Sequence, residues 1–201
     1  MSKMLSGCSS LSSIDLSNFN TENVINLEGM FSGCSSLTSI SLLNFNTNKV
    51  KAINNMFSYC SKLKFVNISN FNTQNVISMK GLFSGCTSLT SIDISNFNTE
   101  NTINMENMFS ECSSLVSINL NNFNTKNVVN MDYMFSYCTS LISINLSNFN
   151  TQNVSSMNRM FSLQKYPRSK MKPICLYLYA FALASIYCSW DTSTMEPRYS
   201  S

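Results

Sequence analysis

The sequence predicts an α/β solenoid, a stack of like coils that each carry one short parallel strand and one short helix. Three observations point there. Cysteine recurs at Cys8, Cys34, Cys60, Cys86, Cys112 and Cys138, every 26 residues, and a fixed period of this size marks one supersecondary unit stacked on copies of itself. Other columns are identical in all six copies: Leu11 with Leu37, Leu63, Leu89, Leu115 and Leu141, the Asn-Phe-Asn-Thr block that begins at Asn18, and the Phe-Ser pair that begins at Phe31. Within each unit, finally, the apolar residues change period partway along.

The first half of a unit reads as the strand. Leu11-x-x-Ile14-x-Leu16 alternates apolar and polar at its centre, the period-two pattern of a strand with one buried face. Residues pointing the other way are small and polar, such as Ser13, Asp15 and Ser17 in the first copy and Ser117, Asn119 and Asn121 in the fifth. Stacked in register, these strands form a parallel sheet with coils about 4.8 Å apart.

The second half reads as the helix. Val24, Leu27, Met30 and Phe31 lie at i, i+3, i+6 and i+7, on one side of a short helical segment. Thr21 precedes it as an N-cap whose hydroxyl accepts from a free backbone N–H. Gly33 and Gly85 stand where a C-terminal glycine ends a helix, although Tyr59, Glu111 and Tyr137 hold that column elsewhere. Each unit offers about nine apolar side chains to a shared core, which no unit can shield alone.

Six units fill residues 8–163, preceded by a partial unit at 1–7, so that 1–163 reads as one solenoid domain. Met1 falls in the column of Leu27, Met79, Met105, Met131 and Met157, and Met4-Leu5-Ser6-Gly7 matches Met30-Phe31-Ser32-Gly33. The sequence therefore starts in mid-repeat and reads as a fragment, or as a misplaced start codon inside a longer array. The net charge of +3 comes from elsewhere, because residues 1–163 hold eight basic and eight acidic side chains. A neutral array lacks the basic footprint of nucleic-acid binding. With no histidine, Ser-His-Asp and Cys-His nucleophiles and imidazole-ligated zinc are excluded. No Gly-rich phosphate loop is present. The expectation is a protein that is not an enzyme and has no cofactor.

The cysteine column reads as buried free thiols that pack as small hydrophobes, all six pointing inward. A partial disulfide or an adventitious metal is the alternative, although parallel in-register side chains make poor bridging geometry. The Asn-Phe-Asn-Thr block reads as internal scaffolding: asparagines satisfy backbone groups at the turn leaving each strand, with phenylalanines stacked beneath. Recognition then falls to the variable columns. One holds Glu22, Asn48, Gln74, Glu100, Lys126 and Gln152; another Glu28, Asn54, Lys80, Glu106, Asp132 and Asn158. The strand row offers Asp15, Ser41, Asn67, Asp93, Asn119 and Asn145. Of these, Asp15, Asn67, Asp93, Asn119 and Asn145 are the favoured binding residues, since a flat sheet of amides and carboxylates presents many hydrogen bonds at once. Each row could equally be plain solvated surface.

The run Leu115-Val116-Ser117-Ile118-Asn119-Leu120, then Asn122-Phe123-Asn124-Thr125, then Met131-x-x-Met134-Phe135 and Cys138 resembles the BspA-type leucine-rich-repeat surface proteins, and more closely their 26-residue variant of unknown function. The resemblance spans residues 1–163. It implies a right-handed leucine-rich-repeat-like solenoid at the cell surface or outside the cell, non-catalytic, with a protein or cell-surface ligand. A structural spacer or stalk within a longer surface protein, and an intracellular interaction scaffold, are the alternatives. Surface members of the family begin with a signal peptide, and none opens this sequence.

Register is lost after Leu163, leaving 164–201 as a non-repeat tail that holds all three prolines and Trp190. Residues 174–190 form an apolar stretch behind Lys170 and Lys172. As a helix it would span about 26 Å, the short limit for a bilayer, so membrane contact is expected only through this segment. A membrane anchor, a cap over the open end of the core, and sequence from a shifted reading frame all remain open readings of the tail.

Overall fold

The computed structural model describes residues 1–162; the tail and its apolar stretch lie outside the described residues. The chain winds into coils that repeat every 26 residues, and the strands are short. They are β1 (Ser39–Ser41), β2 (Phe65–Asn67), β3 (Ser117–Ile118) and β4 (Ser143–Ile144). β1 pairs with β2 and β3 with β4, both parallel and both offset by one coil, as in Ile40 opposite Val66 and Ile118 opposite Ile144. The expected strand and its register are therefore present. The continuous sheet is not, because residues 13–15 and 91–93 form no strand.

The unbroken ladder runs through the other half of the coil. Parallel bridges link Asn26 to Ala52, Ala52 to Ser78, Ser78 to Asn104, Asn104 to Asn130 and Asn130 to Ser156. No helix occurs among the described residues, which corrects the expected helical half. Two positions in each unit adopt positive φ: Gly29, Asn55, Gly81, Asn107, Tyr133 and Arg159 in one column, Gly33, Tyr59, Gly85, Glu111 and Tyr137 in the other. Two left-handed residues only four positions apart interrupt any run of right-handed helix in this half of the coil.

The backbone alternates between local and inter-coil bonds instead. Met30, Ser32 and Cys34 donate to the carbonyls of Leu27, Gly29 and Phe31, three residues back, while Leu27, Gly29, Phe31 and Gly33 donate to Ala52, Asn54, Met56 and Ser58 of the next coil. Lys3, Leu5 and Gly7 make the same bonds to Glu28, Met30 and Ser32. Successive three-residue turns place apolar side chains at i, i+3 and i+6 just as a short helix does. Over one or two turns that spacing cannot separate the two structures.

Thr21 is not an N-cap. Its hydroxyl accepts from the backbone N–H of Asn46 in the next coil at 2.7 Å, and Thr47, Thr73, Thr99 and Thr125 repeat the arrangement. Each of those four also donates to the carbonyl of the same asparagine, as Thr99 does to Asn124 at 2.9 Å. The asparagine ladder is present as expected. Asn96 Nδ2, for example, donates to Ile68 O at 3.1 Å and to Phe71 O at 2.7 Å, and Asn122 to Ile94 O and Phe97 O.

A single core runs the length of the stack. Its third coil buries Cys60, Leu63, Val66, Ile68, Phe71, Val76, Met79, Leu82 and Phe83. Among the described residues, the parallel ring stack lies in the Phe31 column and not in the Asn-Phe-Asn-Thr column. Phe31, Phe57, Phe83, Phe109, Phe135 and Phe161 follow one another at 5.4–5.7 Å between ring centroids. Phe45, Phe71, Phe97 and Phe123 are buried beside them.

Candidate functional site

Five of the six column cysteines line the core: Cys34, Cys60, Cys86 and Cys112 are buried free thiols and Cys138 is buried with them, but Cys8 is exposed, against the expectation that all six point inward. Each buried thiol donates to a carbonyl 29 residues earlier, in the preceding coil: Cys60 to Phe31, Cys86 to Phe57, Cys112 to Phe83 and Cys138 to Phe109, at 3.0–3.1 Å. Burial, reinforced by the neighbouring thiol in the column, pushes Cys60 up to about 12 and raises Cys86 and Cys112 well above the ordinary range. Thiols held protonated are poor nucleophiles and poor metal ligands. Among the described residues no group of three or more His, Cys, Asp or Glu could hold a metal ion.

Alkylation with iodoacetamide followed by peptide mass analysis is therefore expected to modify Cys8 quickly and the peptides of Cys60, Cys86 and Cys112 only after denaturation. Rapid modification of Cys86 in the folded protein would contradict the inward column.

The favoured binding row is exposed at Asp15, Asp93, Asn119 and Asn145 and half-buried at Asn67. The structure adds a role that the sequence reading missed, because each of the five closes an Asx turn. The Oδ1 atom accepts from the backbone N–H two residues on: Asp15 from Ser17 at 2.9 Å, Asn67 from Ser69 at 3.3 Å, Asp93 from Ser95 at 3.0 Å, Asn119 from Asn121 at 3.1 Å and Asn145 from Ser147 at 3.0 Å. Hydrogen bonds from Ser17 hold the Asp15 carboxyl below its usual range, and the hydroxyl and N–H of Ser95 do the same for Asp93. Both are charged at neutral pH. An Asx followed by Ser or Asn two residues later was the available signal.

These turns fix one side-chain atom and leave the other for solvent. Asn145 spends its Nδ2 on Asn121 at 3.2 Å. The second oxygens of Asp15 and Asp93 and the amide nitrogens of Asn67 and Asn119 make no hydrogen bond among the described residues. The row thus presents acceptors at Asp15 and Asp93 and donors at Asn67 and Asn119.

The other two rows are less uniform. Glu22, Asn48, Gln74, Glu100, Lys126 and Gln152 are exposed, and each backbone N–H is taken by the asparagine two residues before, as Asn98 takes Glu100 at 2.9 Å. In the second row Lys80 pairs with Glu106 at 3.0 Å, and Glu106 also accepts from Asn107 and Asn130. Those charges serve neighbouring coils. Two exposed apolar features also escaped the sequence reading. Ile25, Ile77, Ile103 and Val129 share one outward column, and Phe65 stands 58% exposed on the strand face. The signal for Phe65 was a phenylalanine in a column otherwise made of serine.

Comparison with known proteins follows this geometry. A family model described as "Mycoplasma protein of unknown function, DUF285" matches residues 1–65 and 60–172. A leucine-rich repeat protein from Eubacterium ventriosum is 22% identical over 66% of this chain and 33% of its own, with a TM-score of 0.44. Another from Bacteroides ovatus is 22% identical over 64% of this chain and 41% of its own, with a TM-score of 0.26. This chain thus spans less than half the length of either. No curated protein matches it.

Proposed function

The chain belongs to the family described as Mycoplasma protein of unknown function, DUF285, and we propose that it is a non-catalytic recognition module that binds a protein or cell-surface ligand through its strand face. Its 26-residue unit resembles that of the BspA-type leucine-rich-repeat proteins. One observation carries the proposal. Asp15, Asn67, Asp93, Asn119 and Asn145 lie in one row at coil spacing, each held by an Asx turn. Side chains already immobilised lose little entropy on binding. A neutral array recognises by hydrogen bonds and shape and not by charge steering. The compartment proposed is the cell surface or the extracellular space. Among the described residues no helix is long and apolar enough to cross a membrane.

A second reading is supported by the same turns. Asx turns also end strands in purely structural arrays, so the row could serve a spacer that holds another domain away from the surface. The test replaces Asp15, Asn67, Asp93, Asn119 and Asn145 together by Ser, which keeps a hydroxyl able to close each turn. Binding is measured to immobilised extracellular-matrix proteins and to whole cells. At about 0.5–1.5 kcal/mol for each hydrogen bond, adhesion is expected to fall about tenfold or more with the fold intact by circular dichroism. Unchanged adhesion of the folded variant would reject the row, and failure of the parent protein to adhere to anything would favour the spacer.

A further inference from the structure

One position on the strand face departs from its repeat. Ser13, Ser39, Ser91, Ser117 and Ser143 occupy the column in five coils, and the third coil places Phe65 there. The ring lies within β2, more than half exposed, and its in-register partner is Ser39. An aromatic side chain left in water forgoes burial that a serine would not need. More than half of that burial is forgone at Phe65.

The surroundings of the ring are polar and fixed. Two residues along the same strand, Asn67 accepts from Ser69 Oγ at 3.0 Å through Oδ1, and its Nδ2 is without a partner among the described residues. One coil further in that column, Asp93 accepts from Ser95 Oγ at 2.7 Å through Oδ1, and its second oxygen is likewise unpaired. Ser39, Ser41 and Ser91 stand exposed around them. The patch therefore offers an apolar ring face, an amide donor and an anionic acceptor within one or two coils.

We infer that Phe65, Asn67 and Asp93 form a carbohydrate-binding patch that takes one pyranose ring of a glycan, an inference that rests on the strand-face reading above. A pyranose carries apolar C–H groups on one face and hydroxyls at its edge. The electron-rich face of Phe65 attracts the C–H face. Asn67 Nδ2 donates to one hydroxyl oxygen, and the Asp93 carboxylate accepts from a neighbouring hydroxyl in a charge-assisted bond. Adjacent coils, about 4.8 Å apart, match the width of a single sugar ring. A protein partner fits this chemistry less well. An aromatic anchor in a protein interface sits among contacts that exclude water, whereas a flat partner here would strip water from the serines around Phe65.

The test probes the full chain with an array of defined mono- and oligosaccharides beside immobilised extracellular-matrix proteins, using parent protein, Phe65→Ser, Phe65→Trp, Asn67→Ser and Asp93→Ser. Phe65→Ser restores the repeat's own residue, so the fold is kept. Binding to at least one glycan is expected, weakened about tenfold or more by Phe65→Ser, retained by Phe65→Trp, and reduced by each polar replacement. A parent that binds no glycan, or whose glycan binding is indifferent to Phe65→Ser, overturns the inference. Matrix-protein binding that needs the row but involves no glycan would leave the strand-face reading standing and this inference refuted.

Discussion

Phe83→Ala is expected to cost about 3–5 kcal/mol of stability, the usual range for truncating a buried Phe. Its ring lies fully buried between Phe57 at 5.4 Å and Phe109 at 5.7 Å, nearly parallel to each neighbour. Removing it deletes contacts to two coils and opens a cavity that rigid neighbours close only partly. The equivalent Phe161→Ala is expected to cost markedly less, since among the described residues Phe161 stacks on Phe135 alone. Urea unfolding of the two variants checks this, with the slope compared as well as the midpoint. In a stack coupled through nearest neighbours, loss at the centre also splits cooperativity, which a lowered slope or a second transition would register. Equal losses at the two positions would contradict a linear array.

Thr99→Val is expected to cost about 1–3 kcal/mol, from two part-buried backbone groups of Asn124 that lose their partner and recover only some of it from solvent. The two side chains have nearly the same shape, so packing contributes little. Thr99 is fully buried, and its hydroxyl accepts from Asn124 N at 2.8 Å while donating to Asn124 O at 2.9 Å. Valine leaves both groups facing a methyl. Thr99→Ser keeps the hydroxyl and is expected to cost far less, so the difference between the two variants in thermal melts isolates the hydrogen bonds. A silent Thr99→Val would mean that the threonine column only fills space.

What the sequence disclosed, and what it hid, divides along physical lines. Period, register and the buried columns were legible because one-coil stacking repeats them six times, as with Leu63 and Cys60. The strand was legible at Ile40 and Val66, where alternation is a backbone property. The helix was not, because Leu27, Met30 and Phe31 satisfy a chain of turns equally well, and the positive φ at Asn55 and Tyr59 has no signature in a non-glycine residue. Thr21 misled for a related reason. A hydroxyl suited to capping a helix in its own coil is equally suited to bonding the next one, and only coordinates tell which N–H is near. For the candidate site, exposure of the row followed from alternation. The Asx turns are set by a local bond to the backbone two residues on, which alternation does not reveal.

The inter-coil bonds also set the steps by which such a protein can change length. The threonine hydroxyls reach 25 residues forward, the strand-turn asparagines reach 25 and 28 residues back, and the cysteine thiols reach 29 back. Excising 26 residues rejoins every donor to an acceptor of the same kind, because the next coil offers the identical column. Excising 25 or 27 turns each inward side chain at the joint outward and leaves Thr, Asn and Cys facing partners of the wrong type. Length can therefore vary by recombination between repeats, in whole coils, with almost no structural penalty, while a slip of one residue is selected against at once. The length of the strand face becomes a heritable quantity that changes in discrete units without disturbing the fold that presents it.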